Sequence, residues 1–541
     1  MDLWVYRKQQ ATVALLKHIS VEAWVMAGML IAVTVLYRLQ LPVDETRYVS
    51  VAWEMWQHHQ WLLPTLNGAP YADKPPLLMW LINVAWGLFG VHDWVARMVI
   101  PLIGLINFYL VRQIALFFWP QSKSYRVAPL ILISMLGWAL YLPMTMFDIL
   151  LSACVLAHLL SWLYWLKTPR LSWVIAAGLF GGLGILTKGP VMLLDSLVVF
   201  LCYPLWRMPD MPSVKRFYKA IFAAVLIAIL IGLAWAVPAA WIGGKGYAEA
   251  IFVKQSFDRI HHSFAHARAW YWYLLMAPLI FFPWSMQWIQ QLWRARRVAF
   301  NFKWRTLNWS GRLLFCWIVG HVVIFSLISG KQIHYLLPIF PAIALFISEL
   351  FASKNSMARP WLVSLSLLMF GVSLMVLPQL KLIPVPGSAH FNIIWALLPI
   401  GLAISLLITQ ANHSRLIALC SSSAVMMISL MLVGQPVFKH NYNLRPIAGY
   451  VRAVQSRHQL VAFWGKYPDL FQFYGRLDSP LILLSHMPLQ QRKNWAAKHP
   501  DASVIEVVHH CQPLAEHCWP YRTGYLNALK ASDWIKLKRV D

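Results

Sequence analysis

The chain has 541 residues, 59% of them hydrophobic and only 12% charged, with a mean hydropathy of +0.57 and a formal net charge of +26. That balance excludes a soluble globular protein and predicts an α-helical polytopic membrane protein. The positive excess is spread over short loops between apolar runs, which points to membrane topology and away from nucleic acid.

Apolar runs near 21–37, 98–118, 127–142, 149–166, 171–186, 191–206, 220–242, 270–290, 313–328, 336–352, 361–377, 392–409 and 416–434 predict about thirteen spans. Arg7, Lys8 and Lys17 precede the first run and no small-residue cleavage site follows, so it reads as an uncleaved signal anchor. With the N-terminus inside, basic residues fall in alternate loops: Arg112, Lys123 and Arg126, then Lys167 and Arg170, then Arg207, Lys215, Arg216 and Lys219. The alternation continues through Arg294–Arg312, Lys354 with Arg359, and Arg415. An odd number of spans puts the C-terminal tail outside. Asp44, Glu45, Glu54, Asp73, Asp93, Asp148, Glu249 and Asp258 then map to the outer side. Topology does not require that bias, whereas chemistry on the outer face would explain it.

The first long outer loop, 42–97, is a polar segment in apolar surroundings, where ionisable groups are expensive and usually functional. Its SVAWEMW and PPLLMWLINVAWGLF stretches have helical spacing and abundant Trp, and predict helices lying along the interface. Asp44-Glu45 can act as base or metal ligand, or can simply favour a helix N-terminus; Arg47 follows one turn later. In YADKPPL, Pro75 and Pro76 disfavour helix before them and hold Lys74 at a turn, where a compact ammonium suits a phosphate or snorkels. Asp148 and Lys188 stand at the outer ends of later spans, and Lys331 and Tyr335 in a further outer turn. One layer thus gathers carboxylates and cations into an expected anion site. The second long outer loop, 243–269, carries Asp258, His261, His262 and His266 for metal chemistry, and Arg259 and Arg268 within reach of a phosphate. Asp195, within a span, has no partner evident in sequence. No nucleotide-binding signature is present.

Residues 1–435 are expected to form the transmembrane domain, and 436–541 a small extramembrane α/β domain. In the latter, LVAFWGKYP and PLILLS read as short buried strands and RPIAGYVRAVQ as a helix. Its basic excess suits either anionic headgroups or a merely soluble surface. Cys154, Cys202, Cys316 and Cys420 lie in spans. Cys511 and Cys518 favour a local disulfide in an oxidising compartment, with metal binding by His509, His510 and His517 as the alternative.

Taken in order, DETRY, YADKPPL, Phe147-Asp148, LTKGP and GKQIHYLLPIFP resemble the bacterial aminoarabinose transferase family over roughly residues 40–350. These are class C membrane glycosyltransferases related to the lipid A and core galacturonic acid transferases and to the protein O-mannosyltransferases. The resemblance implies an inverting transfer from a polyprenyl-phosphate-sugar donor to a lipid A or lipopolysaccharide acceptor on the periplasmic face of the bacterial inner membrane. It implies Asp44 as the catalytic acidic residue, Lys74 holding the carrier phosphate, and Asp148 and Lys188 as a second acidic residue and lysine. Lys331 and Tyr335 match a late pair near that phosphate; apart from the resemblance, Arg47 and Arg259 are expected as further phosphate contacts from their places in the outer loops. The family usually has Glu before this Lys, and in one type that Glu joins a His to hold a metal. Here Asp73 stands in that place, with His266 the expected partner, which leaves a divalent metal such as zinc open. A protein acceptor is the runner-up. A transporter is disfavoured because the charges share one outer layer instead of the bilayer midplane.

Overall fold

The computed structural model describes residues 21–253, 267–294, 304, 307–352, 359–380, 391–465, 467 and 469–537. Each predicted apolar run returns as a helix or as two helical pieces. Seven helices among the described residues are long and apolar enough to cross a membrane, including Asp93–Phe118, Phe147–Lys167, Leu171–Lys188 and Trp309–Leu327. Shorter apolar helices include Val21–Tyr37, Ser124–Ser134, Val191–Leu201 and Trp361–Val376. The chain is therefore a multi-pass membrane protein.

Several runs that read as single spans are broken. Run 127–142 becomes Ser124–Ser134 and Leu136–Tyr141, and run 270–290 becomes Trp272–Ile280 and Trp284–Arg294. The two breaks lie against each other. Leu136 N–H donates to the Phe282 carbonyl at 2.9 Å, Ser423 Oγ donates to the same carbonyl at 3.1 Å, and Trp284 Nε1 donates to Ser134 Oγ at 2.8 Å. Away from water a freed backbone group must find a protein partner, and each break supplies the other's.

The Leu171–Lys188 helix packs on Val214–Glu249 through small residues. A Cβ on Gly178 would stand 2.6 Å from the Ile227 side chain, and one on Gly182 2.7 Å from Ile231, so only glycine permits this approach. Gly189, at φ +72°, ends the helix immediately after Lys188. Close packing and a sharp stop thus fix where that ammonium emerges.

The predicted interfacial helices are Asp44–His58 and Leu77–Phe89, joined by the short antiparallel pair β1 (Thr65–Leu66) and β2 (Ala69–Pro70). The helix Asn412–Asn441 runs on through Pro436, where the sequence suggests the soluble region begins. After it, helix Arg445–Ser456 buries Ile447, Ala448, Val451 and Val454 against a five-stranded mixed sheet. The strands are β3 (Val461–Trp464), β4 (Ile482–Leu483), β5 (Ser503–Val508), β6 (His517–Tyr521) and β7 (Gly524–Lys530), in spatial order β4-β3-β5-β7-β6. β3 is parallel to β4 and β5, and β7 is antiparallel to β5 and β6. Both strands read from the sequence are present. Cys511, in the loop after β5, is paired with Cys518 in β6, their Cα atoms 6.0 Å apart. A non-reduced digest is expected to contain a 511–518 peptide two hydrogens lighter than its reduced form. Alkylation of both thiols without reductant would contradict the pairing.

Candidate active site

The site is built at one end of the helical body, where the Asp44–His58 helix begins. Asp44 and Glu45 occupy its first turn, where the helix dipole favours acids, but they diverge. Glu45 points inward and is 2% exposed. It takes a bidentate ion pair from Arg38, one arm at 2.9 Å, and accepts from the Leu41 and Thr145 N–H groups at 2.8 and 2.7 Å. Arg38 also donates to the Pro143 carbonyl at 2.7 Å. Burial alone would raise the Glu45 carboxyl, but the Arg38 guanidinium and the two amides bring it below the ordinary glutamate value. Glu45 is therefore structural, tying the end of the first span to the turn that leads into Asp148.

Asp44 faces outward, with 55% of its side chain exposed. It lines a cavity of about 410 Å³ together with Tyr141, Arg268, Trp272, Lys331 and His334. Lys331 is buried and donates to the Arg268 and Ile328 carbonyls at 3.1 and 2.5 Å, and burial lowers its pKa. The Arg268 guanidinium lies 4.7 Å from the centre of the Trp272 ring. The Arg268 main-chain N–H donates to the Ser329 carbonyl at 3.2 Å beside an Ala267–Gly330 bridge. These contacts stitch the end of the 243–269 loop to the Lys331 turn and bring two cations opposite one carboxylate.

Deeper, Asp148 opens the Phe147–Lys167 helix and accepts from Lys188 Nζ at 2.5 Å, both side chains being buried. Lys188 also lies 4.6 Å from the centre of the Tyr335 ring. Lys74 and His334 are near enough to act on the Asp148 charge. His334 packs against Tyr141 and Tyr335, with ring centroids at 5.6 and 4.8 Å. Tyr48 and Tyr71, which feel the charges of Asp44 and Asp73, are pushed well above the usual phenol value by burial and stay protonated. The structure thus gathers Asp44, Lys74, Asp148, Lys188, Lys331 and Tyr335 in one region, with Asp73 at its edge. Arg259 and His266 lie outside the described residues. Among the described residues no group of three or more His, Cys, Asp or Glu side chains is placed to hold a metal.

Arg47 departs from the simple expectation of a free phosphate ligand. Its Nε donates to Asp469 Oδ2 at 2.9 Å, and its Nη1 lies 3.7 Å from Asp44. Asp469, raised by burial and held down by Arg47, belongs to the C-terminal unit, and no sequence signal links it to the 42–97 loop. His334 stood inside a quoted motif without being singled out. Asp195 has His321 as its partner, 3.3 Å away with both side chains fully buried. His321 Nε2 lies 3.2 Å from the Tyr335 carbonyl, so this pair supports the strand of chain that covers Lys188.

Residues 73–235 match the family model described as dolichyl-phosphate-mannose-protein mannosyltransferase. Two curated relatives are named undecaprenyl phosphate-alpha-4-amino-4-deoxy-L-arabinose arabinosyl transferase 1. The protein from Sodalis glossinidius is 28% identical over 323 residues, 58% of this chain and 55% of that protein. The one from Pseudomonas fluorescens is 29% identical over 348 residues, 60% of this chain and 59% of that protein. The chain thus spans less than two thirds of the length of the curated relatives it matches. In fold it resembles ArnT from Cupriavidus metallidurans bound to undecaprenyl phosphate, with a TM-score of 0.71 and 18% identity over 94% of this chain and 97% of that one. The apo state of the same protein gives 0.69, covering 97% and 99%.

Proposed function

As a relative of the aminoarabinose transferases in sequence and in fold, the chain is, we propose, an inverting glycosyltransferase. Its donor is a polyprenyl-phosphate sugar and its acceptor a lipid A or lipopolysaccharide molecule. The observation that carries this reading is the cavity in which the exposed Asp44 faces Arg268 and Lys331, with Lys74 close by. In the transfer, the acceptor oxygen attacks the anomeric carbon and the bond from that carbon to the phosphate oxygen breaks. The electron pair leaves with the polyprenyl phosphate. Lys331, Arg268 and Lys74 stabilise that departing anion, in a setting where cations fixed beforehand cost no reorganisation. Asp44 takes or orients the acceptor proton and steadies positive charge growing at the anomeric carbon. Asp148 holds Lys188 in place, and Tyr335 covers it. Asp73 with His266 is the pair proposed for a divalent metal; metal content of purified protein should fall in Asp73→Asn, and an unchanged content would remove the pair.

In this reading the N-terminus is cytoplasmic in the inner membrane, and the site and the residues from about 436 onward are periplasmic. Alkaline phosphatase fused after residue 440 is expected to be active. A silent fusion there, with a bright cytoplasmic fluorescent fusion at the same point, would reverse the orientation. The function is tested by comparing lipid A, core saccharide and glycoprotein masses with and without the gene. A sugar-sized mass loss confined to lipid A or core is expected. A loss confined to glycoproteins would favour the second reading, transfer to protein, which the family-model match over 73–235 supports.

A further inference from the structure

The C-terminal unit reaches the helix that carries Asp44. Its 469–481 stretch is latched along the 42–97 loop. Trp53 Nε1 donates to the Leu477 carbonyl at 3.3 Å, Asn67 Nδ2 to Leu481 at 2.9 Å, and Arg476 to Val91 at 2.9 Å. Phe473 stacks on Trp86 with centroids 5.2 Å apart. At the end of this latch nearest the cavity stands Asp469, its side chain 1% exposed, gripping Arg47 Nε. Ser50 Oγ donates to its main-chain carbonyl at 3.3 Å and helps fix its backbone.

Arg47 sits one turn after Asp44 on the same helix, the spacing at which opposite charges pair. Left alone, a guanidinium here would close on Asp44 as a bidentate fork, its preferred geometry with a carboxylate. It does not: the short contact is with Asp469 at 2.9 Å, and Asp44 keeps a long one at 3.7 Å. We propose that Asp469 is a positioning residue which holds Arg47 off Asp44, leaving the Asp44 carboxylate open to the acceptor in the cavity. This rests on the transfer reading above and gives the C-terminal unit a part in it. Asp469 touches neither donor nor acceptor; it acts through Arg47.

The test is a double-mutant cycle in the full-length detergent-purified chain, measuring sugar transfer from a polyprenyl-phosphate donor and, separately, binding of polyprenyl phosphate itself. Asp469→Asn keeps shape while removing the charge, and is expected to lower kcat about 10-fold, a partial loss of what a general base contributes. KM for the donor should stay within about twofold, since no donor contact is lost. The decisive arm is Arg47→Gln in the Asp469→Asn background: it should restore part of kcat, because no guanidinium remains to close on Asp44. A merely structural role, in which Asp469→Asn loosens the C-terminal unit, predicts no such rescue. Asp469→Glu, which keeps the charge, should retain at least half of the parent kcat and provides the reading if the Asn variant does not fold. Unchanged kcat in Asp469→Asn, additive effects in the cycle, or an Asp469→Glu variant as slow as an inactive control would each overturn the assignment while the transfer reading stands. A parent chain that neither binds polyprenyl phosphate nor transfers sugar would overturn both.

Discussion

Asp44→Asn is expected to abolish sugar transfer while leaving the fold intact. The amide keeps the size and hydrogen-bonding capacity of the carboxylate, and Asp44 is more than half exposed, so little packing depends on it. What is lost is the exposed carboxylate on a cavity that Arg268 and Lys331 also line. Losing one preorganised charge-stabilising group costs about 3–4 kcal/mol, a rate loss on the order of 100- to 1000-fold. Lys74→Ala is expected to weaken carrier binding as well as turnover, and Lys74→Arg not to restore them, because a planar fork cannot replace a point charge in a proline-locked turn. Transfer by purified variants of matched melting temperature is the measurement. If Asp44→Asn and Lys74→Ala both stay within about threefold of the parent, a margin of only ~0.65 kcal/mol, the site is elsewhere.

The largest effect on stability is expected at Arg38. Arg38→Ala leaves the Glu45 carboxylate buried with two amide donors and no cation. Removing one partner of a buried ion pair costs about 3–5 kcal/mol, because the remaining charge has lost its water and its partner together. The sign of the pH dependence follows from the lowered Glu45 pKa. The pair's contribution is fully present above the ordinary glutamate value of 4.5 and is lost as pH falls through the depressed folded value. The melting temperature of Arg38→Ala should therefore lie well below the parent's at pH 7, and the gap should narrow as both are acidified below 4.5. A gap that is small at pH 7, or that widens in acid, would show that the pair does not hold this corner together.

Much of this was legible in the sequence because the bilayer leaves few options. Apolar runs must be helices, and charges beside them are costly enough to carry meaning. That logic placed Asp44, Lys74, Asp148, Lys188, Lys331 and Tyr335 in one layer, and the structure brings them together. It could not separate Asp44 from Glu45. Neighbours on a helix point roughly 100° apart, and which one faces the cavity depends on Arg38 and on the Thr145 amide. Nor could it see the paired breaks at Met135 and Phe282, since a run of apolar residues reads the same whether or not the helix is interrupted. The partnership of Asp195 with His321 and the grip of Asp469 on Arg47 join residues far apart in sequence. Nothing in the local pattern of either partner announces the other.

The dependence of the Arg47 region on the end of the chain has a bearing on how the protein is made. The Arg38–Glu45 pair spans seven residues and can form as soon as the first span has emerged; the Thr145 amide joins it after another hundred residues of synthesis. The contacts of Asp469, Leu477 and Leu481 with the 42–97 loop close separations of more than 400 residues. At a typical synthesis rate of about 5–20 residues per second, that loop waits tens of seconds for its cover, its tryptophans and charges open to lipid headgroups and water meanwhile. A nascent chain can thus hold every membrane helix and still lack a finished site. A ribosome stall or premature stop after the last membrane helix but before residue 469 would leave the helices inserted without the Asp469–Arg47 contact, and the interval itself is a window for chaperones to act on the exposed loop.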